Sequence, residues 1–315
     1  MAIDSYPRNL TGYGEHPPDP RWPGGARIAV NIVINYEEGA ERTILNGDGQ
    51  SETRLSDLYN PAPRIGLRDQ NMESAYDFGS RVGVWRLLTI LRRYDLPYTV
   101  YAVGRALELN PAVAEAFGRG NCDMVNHCYR WIDHSLMAED TERQQIAHGT
   151  DVITRTTGKR PRGFYAGMPS PNTRRLIMAA GYDYDSDDYS DEIPFWVDLG
   201  GSPFLVLPAS LNNGDTRFAR GHGFNFARDY FTVLKDTFDW FYDEADRDLG
   251  PRMMSLGLHS RLIGHPSRIA GLTRTLDYML TKPDVWFCRR EEIADHWRRT
   301  HPPAGRPAHP TATGG

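Results

Sequence analysis

No uninterrupted apolar run in this 315-residue sequence approaches the roughly 18 residues that a membrane-spanning helix requires, so no transmembrane segment is expected. There is no basic stripe either. The 36 Lys and Arg stand against 41 Asp and Glu, giving a formal charge of −5 with the signs interspersed, which argues against a phosphate backbone as partner. Cysteine is scarce: Cys122, Cys128 and Cys288 are odd in number and lack the CxxC spacing of a metal site. The opening stretch, MAIDSYPRNLTGYGEHPPDP, has neither the basic start nor the apolar centre of a secretory leader. These absences predict a soluble, reduced, cytoplasmic protein that acts on a small molecule, with no nucleic-acid or membrane partner.

What is present is a 40% apolar chain with 7 Trp, 16 Tyr and 12 Phe, enough for a large core and an aromatic cleft. Short β-branched runs alternate with stretches of helical period, the pattern of βα units around a parallel sheet. Strands are expected at Ile28 to Ile34, Tyr98 to Val103, Met124-Val125, Phe204 to Leu207, Met253 to Leu258 and Val285 to Cys288. Helical period marks Val82 to Leu91 and the stretches near 139–156, 171–180, 227–246, 267–281 and 290–299. The expected organisation is an extended, Pro- and aromatic-rich N-terminal arm over 1–25, a single (β/α) barrel over 26–300, and a disordered tail over 301–315. Within the barrel, 41–76 has weak periodicity and several turn signals and is read as a lid or insertion.

Polar clusters fall where strand-like runs finish, and the loops after the strands of a parallel barrel converge on one face. Asn35-Tyr36-Glu37-Glu38-Gly39 places two adjacent carboxylates there, where burial and mutual repulsion raise one pKa toward that of a general base. Asn126 to His134 brings His127 and His134 after a second run, and Ser255 to Arg261 brings His259, with Arg261 two residues on. A fourth stretch, Gly163 to Asn172, reads as a strand and a loop whose backbone N–H groups are candidates for an oxyanion site. Taken singly, each has a bland reading as a solvated turn or a hydrogen-bonded structural histidine. Three on one face favour a site.

In this order and spacing the clusters resemble the polysaccharide deacetylase (NodB-like) superfamily, which carries an acidic motif on the first strand, a His motif later and a Leu-x-His motif near the end. Within it the cofactor-independent allantoinase branch is the more specific likeness, through NYEEGAE, SRVGVWRLL, HCYRWID, PNTRRL, YDSDDYSDEIPFW, LGLHSRLIGHPSR and FCRREEIADHW. The resemblance runs from about Tyr6 to Trp297 and implies a distorted TIM-like α/β barrel. In the metal-dependent members a second imidazole stands four residues after the motif His; here that position is Trp131. With Glu37-Glu38 in place of the Asp pair, Glu38 and His127 are the obvious ligands left, His134 being a conceivable third, so neither metal nor other cofactor is expected.

The resemblance then implies an amidohydrolase that opens a C–N bond in a cyclic ureide or imide, allantoin to allantoate being the first single candidate. Glu37, or else Glu38, activates water; His259 protonates the leaving nitrogen; His127 and N–H groups near Tyr165 hold the oxyanion. Tyr36, Trp131 and Phe164 are expected to stack on the ring, and Tyr165, Cys128, Met168 and Arg261 to line the pocket. The allantoinase-like pattern carries Gly where this chain has Cys128 and Arg where it has Met168, which alters the pocket's size and charge. A homo-oligomer, dimer or tetramer, is expected from the resemblance, the arm and the insertion. Two alternatives stand beside this reading: a metal-dependent N-deacetylase of an amino sugar or polysaccharide, and a non-catalytic binding protein on a degenerate barrel.

Overall fold

The computed structural model describes residues 8–247 and 249–303. Its organising strand is β1, Ile28–Tyr36, buried along all nine residues as a central parallel strand must be. Alternation along it sorts two layers. Ile28, Val30, Ile32, Ile34 and Tyr36 pack outward against helices, while Ala29 and Val33 face inward with Asn31, which donates to Thr99 Oγ1 at 3.1 Å and Cys288 O at 3.0 Å.

Around it run β2 (Tyr98–Ala102), β3 (Cys122–Asn126), β4 (Gly163–Phe164), β5 (Tyr184–Asp185), β6 (Phe195–Asp198), β7 (Pro203–Val206), β8 (Arg252–His259) and β9 (Val285–Phe287). The sheet order is β6-β7-β5-β4-β3-β2-β1-β8, with β9 off this path. Among the named strands of the described residues, only β6 and β7 pair antiparallel. One edge of β1 changes partner along its length: Ile28 to Val30 pair with β9, and Val33 to Tyr36 with β2. Between β7 and β8, the described residues provide a single bridge, Gly214 to Gly257. The result is a curled, mostly parallel half-barrel, the distorted TIM-like architecture expected from the sequence.

The expected strands and helices are present with shifts of a few residues at their ends. The structure adds β5 and β6, too short and too polar at their ends to show a period, and several helices. Among the latter, α1 (Gln70–Phe78) lies at the end of the insertion, and α4 (Pro111–Arg119) is signalled by Asn110 as cap and Pro111 at its first position. Residues 1–7 of the expected arm and 304–315 of the expected tail lie outside the described residues. The rest of the arm packs on the barrel: Trp22 is 2% exposed and donates to Arg252 O at 3.1 Å, and its ring sits 6.4 Å from that of Trp297 on α10 (Arg290–Thr300). No helix among these residues is long and apolar enough to cross a membrane.

Two features of the floor and wall position the site. Arg290, at the start of α10, lies in the barrel interior, where it donates to Ser186 Oγ at 3.2 Å, Ser255 Oγ at 3.0 Å and Pro208 O at 3.1 Å. In the wall, a π-helical turn, Gly79–Gly83, joins α1 to α2 (Val84–Tyr94). Gly79 presses on the Glu38 carboxylate and the Arg261 backbone so closely that a Cβ there would lie 2.4 Å from Glu38 Oε1, which is why glycine is needed.

Candidate active site

The chain emerges from β1 into Glu37 and Glu38, from β3 into His127, and at the end of β8 presents His259; the three strands are parallel, so their carboxyl ends meet at one mouth. Glu37 is the hub and is 1% exposed. Its Oε1 is 3.2 Å from His127 Nε2 and 3.5 Å from His259 Nε2, and its Oε2 accepts from Arg261 Nη2 at 2.6 Å. Burial opposes its ionisation, but Arg261, then His259 and the imidazole hydrogen bonds outweigh burial and hold the carboxyl well below the usual range.

Glu38 is the opposite case. Its Oε2 accepts from the Glu37 N–H at 3.0 Å and its Oε1 from the Arg261 N–H at 3.2 Å. Burial pushes its pKa up, with Arg261 pulling down and the Glu37 charge adding to the rise. The elevated carboxyl anticipated for this pair is therefore Glu38, which faces the wall; Glu37 alone faces both imidazoles.

His259 is held at both ends. Asp215, fully buried on the segment that bridges the open seam, is 2.8 Å from His259 Nδ1, and its other oxygen accepts from the His259 N–H at 2.6 Å and the Ile263 N–H at 3.2 Å. Burial works against a charged ring here, yet Glu37 and Asp215 raise its pKa to about 9. Sequence reading missed Asp215, because it follows an irregular Asn212-Asn213-Gly214 stretch with no strand period to place it.

The other expected pocket residues divide. Tyr165 lies beside the hub, its ring 5.0 Å from His127 and 4.6 Å from Tyr101, with its hydroxyl 2.9 Å from that of Tyr189. Trp131 packs on Tyr76, with ring centroids 6.1 Å apart, and lies near two guanidiniums, Arg261 at 5.5 Å and Arg54 at 4.8 Å. Met168 meets Arg54 through its sulfur. Arg261 is no free pocket cation: it is 2% exposed, salt-bridged to Glu37 and Glu38, and donates through Nε to Leu55 O at 2.8 Å.

Two residues expected on the ring, Tyr36 and Phe164, and one expected to line the pocket, Cys128, point elsewhere. Tyr36 shares the outward face of β1, with its ring 5.5 Å from Phe117 and its hydroxyl 2.8 Å from Ser80 Oγ. Phe164 and Cys128 pack in the cluster of Ile146, Leu176, Ile177 and Tyr182 behind the sheet. Cys128 has φ of 68°, the left-handed region that a side chain avoids. The loop after β4 is also already occupied: the Ala166 and Gly167 N–H groups donate to Asp187, at 2.5 and 2.7 Å, instead of facing the mouth. Burial, then the neighbouring Asp185, lifts the Asp187 carboxyl to about 8.

The metal that the resemblance implies for metal-dependent members does not fit these residues. The guanidinium of Arg261 lies between the two carboxylates, Trp131 fills the second imidazole's position, and His134 faces Glu142 across 3.5 Å. No three His, Cys, Asp or Glu side chains among the described residues form a metal-holding group.

Comparison with known proteins places the chain in a family. The profile of the family described as Polysaccharide deacetylase matches residues 67–185. A Schizosaccharomyces pombe protein named "Putative polysaccharide deacetylase" is 36% identical over 314 residues, covering 94% of this chain and 98% of its own. Among solved structures, "probable Polysaccharide deacetylase from Pseudomonas aeruginosa PAO1" is 47% identical with a TM-score of 0.91, and "Puue Allantoinase" 46% identical with a TM-score of 0.91. Each covers 94% of this chain and is covered to 99% itself. A chain so similar along nearly its whole length, with the acidic and histidine motifs gathered at one barrel mouth, belongs to the polysaccharide deacetylase (NodB-like) family and is a hydrolase of carbon–nitrogen bonds other than peptide bonds.

Proposed function

We propose that the chain is a metal-independent amidohydrolase that opens a small cyclic ureide or imide, with allantoin as the first single candidate. The observation that carries this reading is the array Asp215–His259–Glu37–His127, with a protein cation, Arg261, seated between the two carboxylates. Glu37, kept ionised by Arg261, takes a proton from water as the water oxygen bonds to the ring carbonyl carbon. His259, kept protonated by Glu37 and Asp215, gives its proton to the ring nitrogen as the C–N bond breaks. The proton on Glu37 then returns to His259 across the 3.5 Å between them, which closes the cycle without another group.

With the Ala166 and Gly167 amides committed to Asp187, the His127 Nε2–H is the nearest ring donor to pass from Glu37 to the developing oxyanion. Without a Lewis acid such a site needs an electrophilic carbonyl, which favours hydantoin-like rings over the acetamide of a sugar. The likeness to a structure described as an allantoinase supports the same choice. Relatives named as deacetylases favour the second reading, removal of an N-acetyl group.

The deciding experiment treats the purified protein with a strong chelator and assays allantoin, hydantoins, dihydropyrimidines, cyclic imides and N-acetylated sugars, with metal restored in half the samples. Ring opening that survives chelation is expected. Activity confined to acetylated sugars and to metal-restored samples would establish the second reading instead.

A further inference from the structure

Arg54 belongs to the insertion and not to any family motif discussed above, yet its guanidinium shares the Trp131 ring with Arg261, the cation that binds Glu37. Its Nε donates to Glu52 Oε1 at 3.1 Å, and the same oxygen accepts the Thr53 and Arg54 N–H groups, so Glu52 fixes the stem of the side chain. The guanidinium lies over the Trp131 ring, the ring that also neighbours Arg261. Its far end is poorly satisfied. Nη1 meets only the weakly accepting thioether of Met168, and Nη2 is buried without a hydrogen-bond partner.

The backbone around Arg54 is tied to the catalytic residues as well. Tyr76 donates its hydroxyl to Arg54 O at 3.0 Å, and Arg261 Nε donates to Leu55 O. Leu55 has φ of 48°, in the left-handed region, a conformation that tends to persist where surrounding contacts enforce it at ligand clamps. A planar cation, preset by its own carboxylate and beside a residue in the left-handed region, with Nη1 on a thioether and Nη2 unpartnered, is arranged for an sp² oxygen that the resting protein does not supply.

We infer that Arg54 is a specificity-determining residue that grips the carbonyl oxygen of the substrate's ureido substituent, a group that takes no part in the bond cleavage. This rests on the ring-opening reading of the site. The guanidinium supplies the hydrogen-bonding charge that the Met168 side chain lacks, and Trp131 supports it from below. Because the contact is made to a part of the substrate that does not react, it holds ground state and transition state alike and enters KM more than kcat.

The test compares wild type with Arg54→Met and Arg54→Lys on allantoin and on hydantoin, the same ring without the ureido group. Arg54→Met is expected to raise KM for allantoin by about tenfold or more, with kcat and the hydantoin KM little changed; Arg54→Lys should fall between. An equal rise on both substrates, or none on allantoin, overturns the inference. Calorimetric titration of the same variants with both compounds keeps the two readings separable. A wild type that binds allantoin more tightly than Arg54→Met but opens no ring sinks the proposed reaction and leaves the grip standing, whereas equal binding by the two proteins sinks the grip. Matching melting curves for the variants exclude misfolding as the cause.

Discussion

Among the buried histidines that face carboxylates in this barrel, His259 and His134 have their imidazoles pushed in opposite directions. His259 stands between Asp215 and Glu37, and its pKa rises to about 9. His134 is more deeply buried, faces the single carboxylate of Glu142 at 3.5 Å, and burial there outweighs that attraction and lowers its pKa. Glu142 also differs in how it is occupied, because the hydroxyls of Ser170 and Thr173 both donate to it. A histidine beside a carboxylate is therefore not by itself an acid. It becomes one when a second carboxylate offsets the cost of burying the charge and when a short hydrogen bond fixes the ring.

The sharpest way to break that contrast is to remove the charge that distinguishes the two sites. Glu37→Gln, and separately His259→Ala, should each lower turnover on the ring substrate by about a hundredfold or more, measured as kcat at neutral pH. If either variant keeps wild-type turnover, the mouth of β1 and β8 is not where the chemistry happens. A smaller effect is expected from the tuning residue. Wild-type activity should plateau from below the ordinary carboxylate range, where Glu37 is already ionised, and fall as pH rises through about 9, where His259 loses its proton. In Asp215→Asn the alkaline fall should move down toward the ordinary imidazole value of 6.5, with a loss of about tenfold or more at pH 8. An unshifted limb would show that Asp215 only holds the loop.

The smallest effect belongs to the other pair. His134→Asn should leave kcat within about threefold while lowering unfolding free energy by about 1–3 kcal/mol in a denaturant titration, since it disturbs a buried polar contact. A hundredfold loss of activity there would erase the distinction between the two histidines.

Much of this was legible in the sequence because parallel strands deliver their last residues to one face. Glu37, His127 and His259 each follow a short apolar run, and the structure gathers those three. The direction of neighbouring side chains was legible too, but only by carrying the period of two through β1: Tyr36 continues Ile32 and Ile34, so it had to face the helices. Cys128 and Phe164 were harder. Cys128 sits in the left-handed region, which breaks any alternation after His127, and a two-residue strand such as β4 has no period to read. Asp215 opens a single 3-10 turn, and Asp187 and Arg54 lie on irregular segments, where pairing across distant parts of the chain and not local pattern decides what meets what. Arg261, expected at the substrate, instead bonds Glu37 and Glu38 because two adjacent buried carboxylates demand a cation.

The seam between β7 and β8 admits the residue that charges His259. Asp215 arrives on a stretch that is joined to β8 by the Gly214 to Gly257 bridge and by its own bonds to His259, and so stands apart from the ladders of β1, β2 and β8. The strength of the proton donor is thereby set from outside the ladders that carry it.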